Sequence, residues 1–222
     1  MQRFTRFQRR PGAAFLGISL TAALALAVAV ACLADLPASP VTMDQVARGR
    51  VRVMASNCAS CHNRGKLDPS DPHWLAGFIP SLSPTGEFTV STFKIRAANL
   101  TTDNDTGLGR CSERQLFNAL RYGLDPLDTP DVEITASVPG QGNFPANPHY
   151  LAPPMSWPAF RHMPDEDLWA IVAYLKHGIK AVSNPVPESE GPADHWASNY
   201  DVSKIGPYPI TPFPAANEEF RE

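Results

Sequence analysis

Cysteine and basic charge are both scarce in this sequence of 222 residues, and each shortage narrows its chemistry. There are four cysteines; Cys32 and Cys111 stand alone and far apart, so no second ligand pair is available to complete a structural zinc site. Lys and Arg number 19 against 22 Asp and Glu, a net charge of −3. Residues 1–32 hold four arginines and no acid, so residues 33–222 carry −7, and −5 of that lies in residues 181–222. A chain without a basic face is not expected to bind nucleic acid. Calcium is excluded on similar grounds. The run at 99–109 resembles an EF-hand loop, but its acids are too few and no glutamate stands at the twelfth position. Proline, by contrast, is abundant: 23 of 222, about twice the usual 5%, which predicts long ordered loops in place of much regular structure.

What is present centres on Cys58-Ala59-Ser60-Cys61-His62. C-x-x-C-H is the pattern of c-type haem attachment. Two thiols three residues apart lie on one face of a helical turn, so both can form thioethers to one porphyrin. His62, the next residue, then sits where its imidazole can take the proximal iron position. A redox C-x-x-C pair has no need of the histidine and favours a βαβ setting.

Residues 1–11 carry Arg3, Arg6, Arg9 and Arg10, and residues 12–34 are almost wholly apolar. Charge followed by an apolar run is the order of a secretory signal. Three fates are open for residues 1–34: cleavage after Ala29-Val30-Ala31, lipidation at Cys32, or retention as a membrane anchor, since about 20 apolar residues span a bilayer. Each places the remainder outside the bacterial cytoplasm, facing the periplasm. Residues 35–180 are long enough for one domain, and residues 181–222 form a proline-rich acidic tail. Its aromatics (Trp196, Tyr200, Tyr208, Phe213) predict that parts of it dock, either as a strap on its own domain or against a partner subunit.

Three helices are signalled. Thr42 or Asp44 caps one running from Gln45 toward Asn57, with Gly49 at its middle, a tolerated glycine or a point of close approach, and with Arg48, Arg50 and Arg52 on a solvated face. Ser112 and Gln115 form a capping box before Leu116, Phe117 and Leu120, and Gly123 closes that helix. Pro164 and three acids open the last, where Leu168, Ile171, Val172 and Leu175 repeat at helical spacing and His177 lies in the final turn. Phe88, Val90, Phe93 and Ile95 around Ser91-Thr92 suggest a short hairpin. Trp74 and Phe78 read as core or haem-wall residues, His73 as a surface residue, and Cys111 as an unpaired buried thiol. Between the second and third helices comes Pro153-Pro154-Met155-Ser156-Trp157-Pro158, a methionine held by prolines. A rigid loop suits a thioether, which is a weak ligand that a floppy loop would lose to water. Met163, His149 and His162 compete with Met155 for the sixth iron position.

These stretches together resemble the monohaem class I cytochromes c found as cytochrome subunits of periplasmic alcohol, aldehyde and gluconate dehydrogenases. The resemblance rests on Arg48-Gly49-Arg50 with the C-x-x-C-H motif, on residues 99–109 with the capping-box helix, and on Met155 to Leu175. It implies an all-α fold of short helices and long irregular loops around one covalent haem c. It implies thioether links at Cys58 and Cys61, axial ligands His62 and Met155, and a close crossing of first and last helices at Gly49. Thr102, Cys111 and Ser156 depart from the pattern, which usually has proline, an aromatic and proline there. Many relatives carry three such domains; this sequence has one C-x-x-C-H. The implied function is electron transfer by a carrier that is not itself an enzyme. Its partners would be redox proteins: a dehydrogenase subunit, an oxidase or a quinol-oxidising complex. The rival classes are a peroxidase-like haem enzyme, which needs an open iron position, and a haem gas sensor with a displaceable Met155.

Overall fold

Thr42 sets the start of the first helix. Its backbone is extended and its hydroxyl accepts from the Gln45 N–H at 3.2 Å, which satisfies one of the donors a helix start leaves free. In the computed structural model, which describes residues 40–191 and 195–221, the elements that follow are α1 (Met43–Ala55), α2 (Cys58–His62), β1 (Glu87–Val90), β2 (Phe93–Arg96), α3 (Glu113–Tyr122), α4 (Trp157–Phe160), α5 (Asp165–His177), a 3-10 turn (Ala197–Tyr200) and α6 (Val202–Ile205). The described residues are thus helix-rich, with one two-stranded sheet and long irregular connections.

α1 crosses α5, and Gly49 is the point of contact. A Cβ at Gly49 would overlap the Ala170 carbonyl oxygen and come within 2.6 Å of the Ala170 carbonyl carbon and 2.8 Å of the Tyr174 Cβ. The glycine is therefore a close-approach residue. From α5, Leu168, Ile171, Val172 and Leu175 are all buried, and Val53 of α1 joins them. Full burial of each such side chain contributes roughly 1.5–3 kcal/mol. α3 packs on α5 and α4. Its capping box is complete: the Ser112 hydroxyl accepts from the Gln115 N–H at 3.1 Å, and the Gln115 side chain accepts from the Ser112 N–H at 2.8 Å. Gly123 ends it with φ +70°, a left-handed conformation suited to glycine.

Arg50 of α1 is exposed as expected, but Arg48 and Arg52 do more than form a solvated face. Arg48 and Arg52, one turn apart on one side of the helix, reach Asp167 at 2.7 and 2.8 Å, and Arg48 also reaches Glu166 at 2.8 Å. Both arginines are half-exposed, but the Asp167 side chain is buried. The acids at the start of α5 serve α1 as well as their own helix dipole.

The hairpin forms as anticipated, with Glu87 opposite Arg96, Val90 opposite Phe93, and a two-residue connection in which Ser91 takes φ +56°. The chain after α5 runs along β2: the Glu190 N–H donates to the Lys94 carbonyl at 2.8 Å and the Arg96 N–H to the Ser189 hydroxyl at 2.9 Å. Trp196 is buried and meets Phe93 edge-on at 6.0 Å. Parts of the tail therefore lie on the body as a strap. No helix among the described residues is long and apolar enough to cross a membrane. The expected export signal or anchor at 12–34, with Cys32, lies outside the described residues.

Gly49→Ala separates helix propensity from packing. Propensity alone would favour alanine by up to about 1 kcal/mol. Overlap with the α5 backbone is expected to dominate and to lower stability by about 3 kcal/mol. Denaturant unfolding decides the sign, and a stabilised variant would mean that the helices do not meet at this residue.

Candidate functional site

α2 is a single turn made by the sequence Cys58-Ala59-Ser60-Cys61-His62 itself. Asn57 precedes it with φ +56°, a left-handed conformation that asparagine tolerates better than most residues. The Ser60 hydroxyl donates to the Asn57 carbonyl at 2.8 Å and steadies the turn. Ala59 is fully buried and anchors α2 in the core, while Cys58, Cys61 and His62 are partly exposed. All three described cysteines (Cys58, Cys61 and Cys111) are free thiols. Burial pushes the Cys58 thiol up to about 11 and also raises Cys111, which is buried in the core as expected.

His62 is held from two sides. Its ring Nδ1 donates to the Ala98 carbonyl at 2.7 Å, and its own carbonyl accepts from the Gly77 N–H at 2.8 Å. Burial lowers its pKa and outweighs the opposing pull of the Ala98 carbonyl. The imidazole is thus neutral near pH ~7. With Nδ1 carrying the proton, Nε2 presents its lone pair. The Ala98 carbonyl is itself positioned. Residues 75–78 lie beside 97–100 through Phe78 N–H to the Ala97 carbonyl at 2.9 Å and Leu100 N–H to the Leu75 carbonyl at 2.9 Å. Gly77, at φ +81°, passes so close that a Cβ would stand 2.6 Å from the Ala97 carbonyl oxygen. Leu75 enters this bend with φ +57°, unusual for a bulky residue, and is wholly buried.

Met155 sits in a turn whose N–H donates to the Ala152 carbonyl at 2.9 Å, with Pro153 and Pro154 at its centre. Proline fixes φ at both central positions, so this turn has little freedom. The turn is moored before and after: the Leu151 N–H donates to the Gly123 carbonyl at 2.7 Å, and Trp157 opens α4 as a buried side chain. Met155 and Cys58, remote in sequence, pack partly buried against one apolar cluster that includes Trp74, Leu75 and Phe160; Met54, Leu100, Leu108 and Met163 flank the same cluster. Each competing histidine has one ring nitrogen committed: His149 Nδ1 contacts Asp128 at 2.8 Å, and His162 Nε2 accepts from Arg161 at 3.3 Å, while His162 Nδ1 is buried without a partner. His177 contacts Glu113 at 2.7 Å, and His73 remains part-exposed beside Asp71. Among the described residues, no group of three or more His, Cys, Asp and Glu side chains is gathered as a metal site.

Over 147 residues, or 66% of this chain, the sequence is 27% identical to the fructose dehydrogenase cytochrome subunit of Gluconobacter japonicus, covering 24% of that protein. It is 27% identical, over 66% of its length, to the gluconate 2-dehydrogenase cytochrome c subunit of Pantoea cypripedii, covering 26% of it. It is also 26% identical over 211 residues to the alcohol dehydrogenase (quinone) cytochrome c subunit of Gluconacetobacter polyoxogenes, covering 92% of this chain and 37% of that one. The chain resembles dehydrogenase cytochrome c subunits. It spans from about a quarter to somewhat over a third of the length of these relatives. No protein-family model matches it.

Several residues that shape the site of this cytochrome-like chain left no mark in the sequence. After α2, Asn63 is fully buried; its amide donates to the Lys66 carbonyl at 2.8 Å and accepts from the Leu75 N–H at 3.3 Å. Arg64, whose side chain is 1% exposed, pairs with Asp71 at 3.0 Å, and Lys66 joins them at 2.9 Å. Lys176 of α5 donates to the carbonyls of Leu108, Gly109 and Cys111 at 2.8–3.2 Å and fixes the loop before α3. A lone arginine or asparagine in an irregular stretch gives no periodic signal, so its partner is visible only in three dimensions.

Burial alone would raise the Asp71 pKa, but Lys66, the His73 N–H and Arg64 together hold it below its ordinary value. Its stabilising contribution is complete above the unfolded value of ~3.9 and is lost as pH falls through the lower folded value. Asp71→Asn leaves Arg64 buried without a counter-ion and is expected to cost about 3 kcal/mol at neutral pH. Urea midpoints of both proteins check this: the gap should narrow as pH falls below the ordinary carboxylate range and the wild-type carboxyl takes up its proton. A gap that stays constant with pH would mean that the charge of Asp71 is irrelevant.

Proposed function

We propose that this chain is an electron-transfer protein with a class I cytochrome c fold and one covalently bound haem c. Cys58 and Cys61 form the thioether links, His62 is the proximal ligand and Met155 the sixth. The hydrogen bond from His62 Nδ1 to the Ala98 carbonyl carries this reading, because it fixes the ring and its tautomer and leaves Nε2 as the free donor. The remaining donor set fits in kind. Two free thiols share one helical turn with that imidazole, and a proline-held methionine packs on the same apolar cluster as Cys58. When bound, the haem supplies a reversible one-electron couple at its iron, with a potential raised by methionine ligation.

The protein's own part is to hold and to exclude. Ala59 and Asn57 set the turn that presents both thiols, and Ala98 orients His62. Trp74, Leu75, Leu100 and Leu108 supply apolar surface that keeps water away. Pro153 and Pro154 keep the Met155 sulfur from drifting, so a ligand of modest strength stays bound in both oxidation states. With His62 and Met155 both holding the haem, no iron position would be left for a substrate, which fits a carrier rather than an enzyme. The likeness to dehydrogenase subunits supports a dehydrogenase as one partner; the other is a respiratory-chain component, an oxidase or a quinol-oxidising complex. The charge order of residues 1–34 supports export to the periplasmic side, with attachment to the membrane through residues 12–34 or a lipidated Cys32.

Two measurements test the assignment. Denatured protein is expected to keep its haem in acidified organic solvent, and Cys58→Ala or Cys61→Ala to weaken or abolish that retention; release from the wild type refutes covalent attachment. Met155→Ala is expected to abolish the weak red-end absorption band of a sulfur–ferric iron bond, to give high-spin character and to admit carbon monoxide. Met163→Leu should change none of these. Survival of the band in Met155→Ala and its loss in Met163→Leu would reverse the choice of ligand. Ready carbon monoxide binding by the reduced wild type would favour a sensor or a peroxidase-like enzyme.

A further inference from the structure

The tail does more than cover the hairpin. Between Tyr200 and Tyr208 it is tied to both ends of the run that carries Met155. At the near end, the Tyr200 hydroxyl donates to the Leu151 carbonyl at 2.6 Å, and its ring lies 5.3 Å from Tyr150 and 4.7 Å from Trp157. At the far end, Arg161, directly after α4, donates through Nη2 to the carbonyls of Ile205, Gly206 and Pro207 at 2.6, 2.8 and 3.4 Å. Arg161 is buried. A buried guanidinium needs acceptors, and the tail supplies these three as backbone carbonyls. The Arg161 carbonyl in turn accepts from Arg121, which also pairs with Asp165 at the start of α5. Tyr208 stands beside both arginines, 5.5 Å from Arg121 and 5.8 Å from Arg161.

We propose that Tyr200 and Arg161 are positioning residues for the sixth ligand: the tail fastens residues 151–161 at both ends and so keeps the Met155 thioether in place. The inference rests on Met155 being that ligand. A thioether bond is weak enough that loop freedom competes with it directly. Inside its own run the Met155 backbone closes only on Ala152, within the bonds described above, so external anchors set how far the sulfur can move. The tail anchors lie before and after it and add to the moorings at Gly123 and Trp157, so removing either loosens the loop at that end.

Displacement of methionine by imidazole reads this without recourse to turnover. In ferric protein, added imidazole must break the sulfur–iron bond in order to bind. Tyr200→Phe removes only the hydroxyl, and Arg161→Lys keeps the charge but loses the planar fork. Each is expected to raise the apparent imidazole affinity about three- to tenfold, the range a single net hydrogen bond covers. Each should also quicken amide hydrogen exchange at Met155. Ser189→Ala removes a tail contact at the hairpin instead and should leave both readings unchanged. If Tyr200→Phe and Arg161→Lys lower the melting temperature yet leave imidazole affinity and Met155 exchange at wild-type values, the tail is merely a brace and the proposal fails. Failure of the ligand assignment is separate. It shows as a red-end band missing from the wild type or persisting in Met155→Ala, and Met155 exchange then still reports whether the tail holds the loop.

Discussion

The contact of Gly49 with the Ala170 carbonyl sets the distance between the first and last helices, and the rest of the domain is arranged on that pair. A side chain at Gly49 would hold the axes apart and open the stripe of Leu168, Ile171 and Val172 to water. With the axes close, Arg48 and Arg52 come within reach of Asp167, and that carboxylate is neutralised as it is buried. Burial of the stripe supplies the larger free energy, because each of those side chains outweighs a half-exposed ion pair worth at most about 1 kcal/mol. The charges add register, since only one rotation of α1 brings both arginines to the same acid. α2 follows directly after α1, so the crossing also determines where the two thiols and His62 stand.

Legibility followed periodicity and short-range chemistry. The capping box at Ser112 and Gln115, the stripe on α5 and the hairpin around Ser91 are encoded within a few residues, and each is found where its pattern put it; of the two candidate caps for α1, Thr42 is the one used and Asp44 lies in the first turn. The close approach at Gly49 was one of two readings open to the sequence, and packing decides for it. The pairing of Arg48 and Arg52 with Asp167 is not legible, because the partner lies far along the chain and a long arginine stem gives no hint of its target. At the candidate site the C-x-x-C-H turn and the proline-held methionine were legible as motifs. The partner of His62 was not, because it is a backbone carbonyl, and any residue at position 98 would offer one.

The irregular stretches owe their order to single polar side chains that satisfy several backbone groups at once. Asn63 bridges Lys66 and Leu75, and Lys176 gathers three carbonyls before α3. Asn184 donates to the carbonyls of Ala76 and Phe78 at 2.6 and 3.0 Å, on the segment that sets Ala98 against His62. Loops of this kind lack ladders, so an unmet carbonyl inside them would cost about as much as a lost hydrogen bond. One asparagine or lysine meets that need where a helix or sheet would have done so by repetition. This economy explains how a proline-rich chain of short elements keeps fixed geometry around its cysteines, its histidine and its methionine.

The helix crossing also governs how the chain tolerates change in length. Gly49 and Ala170 close a loop of about 120 residues, and the entropy of closing a loop rises only with the logarithm of its length, about 0.6 kcal/mol per doubling. A few residues added to the irregular segment between α3 and α4 would hardly alter that term. The segment is pinned locally instead, by the bridge between Leu124 and Tyr150 and by the small cluster of Leu124, Ile134 and Phe144. Insertions beyond those pins are cheap, whereas insertions inside the turn at 152–155 would displace Met155 outright. Drift in length is therefore expected to gather in residues 135–143, and the spacing from Tyr150 to Arg161 to stay fixed.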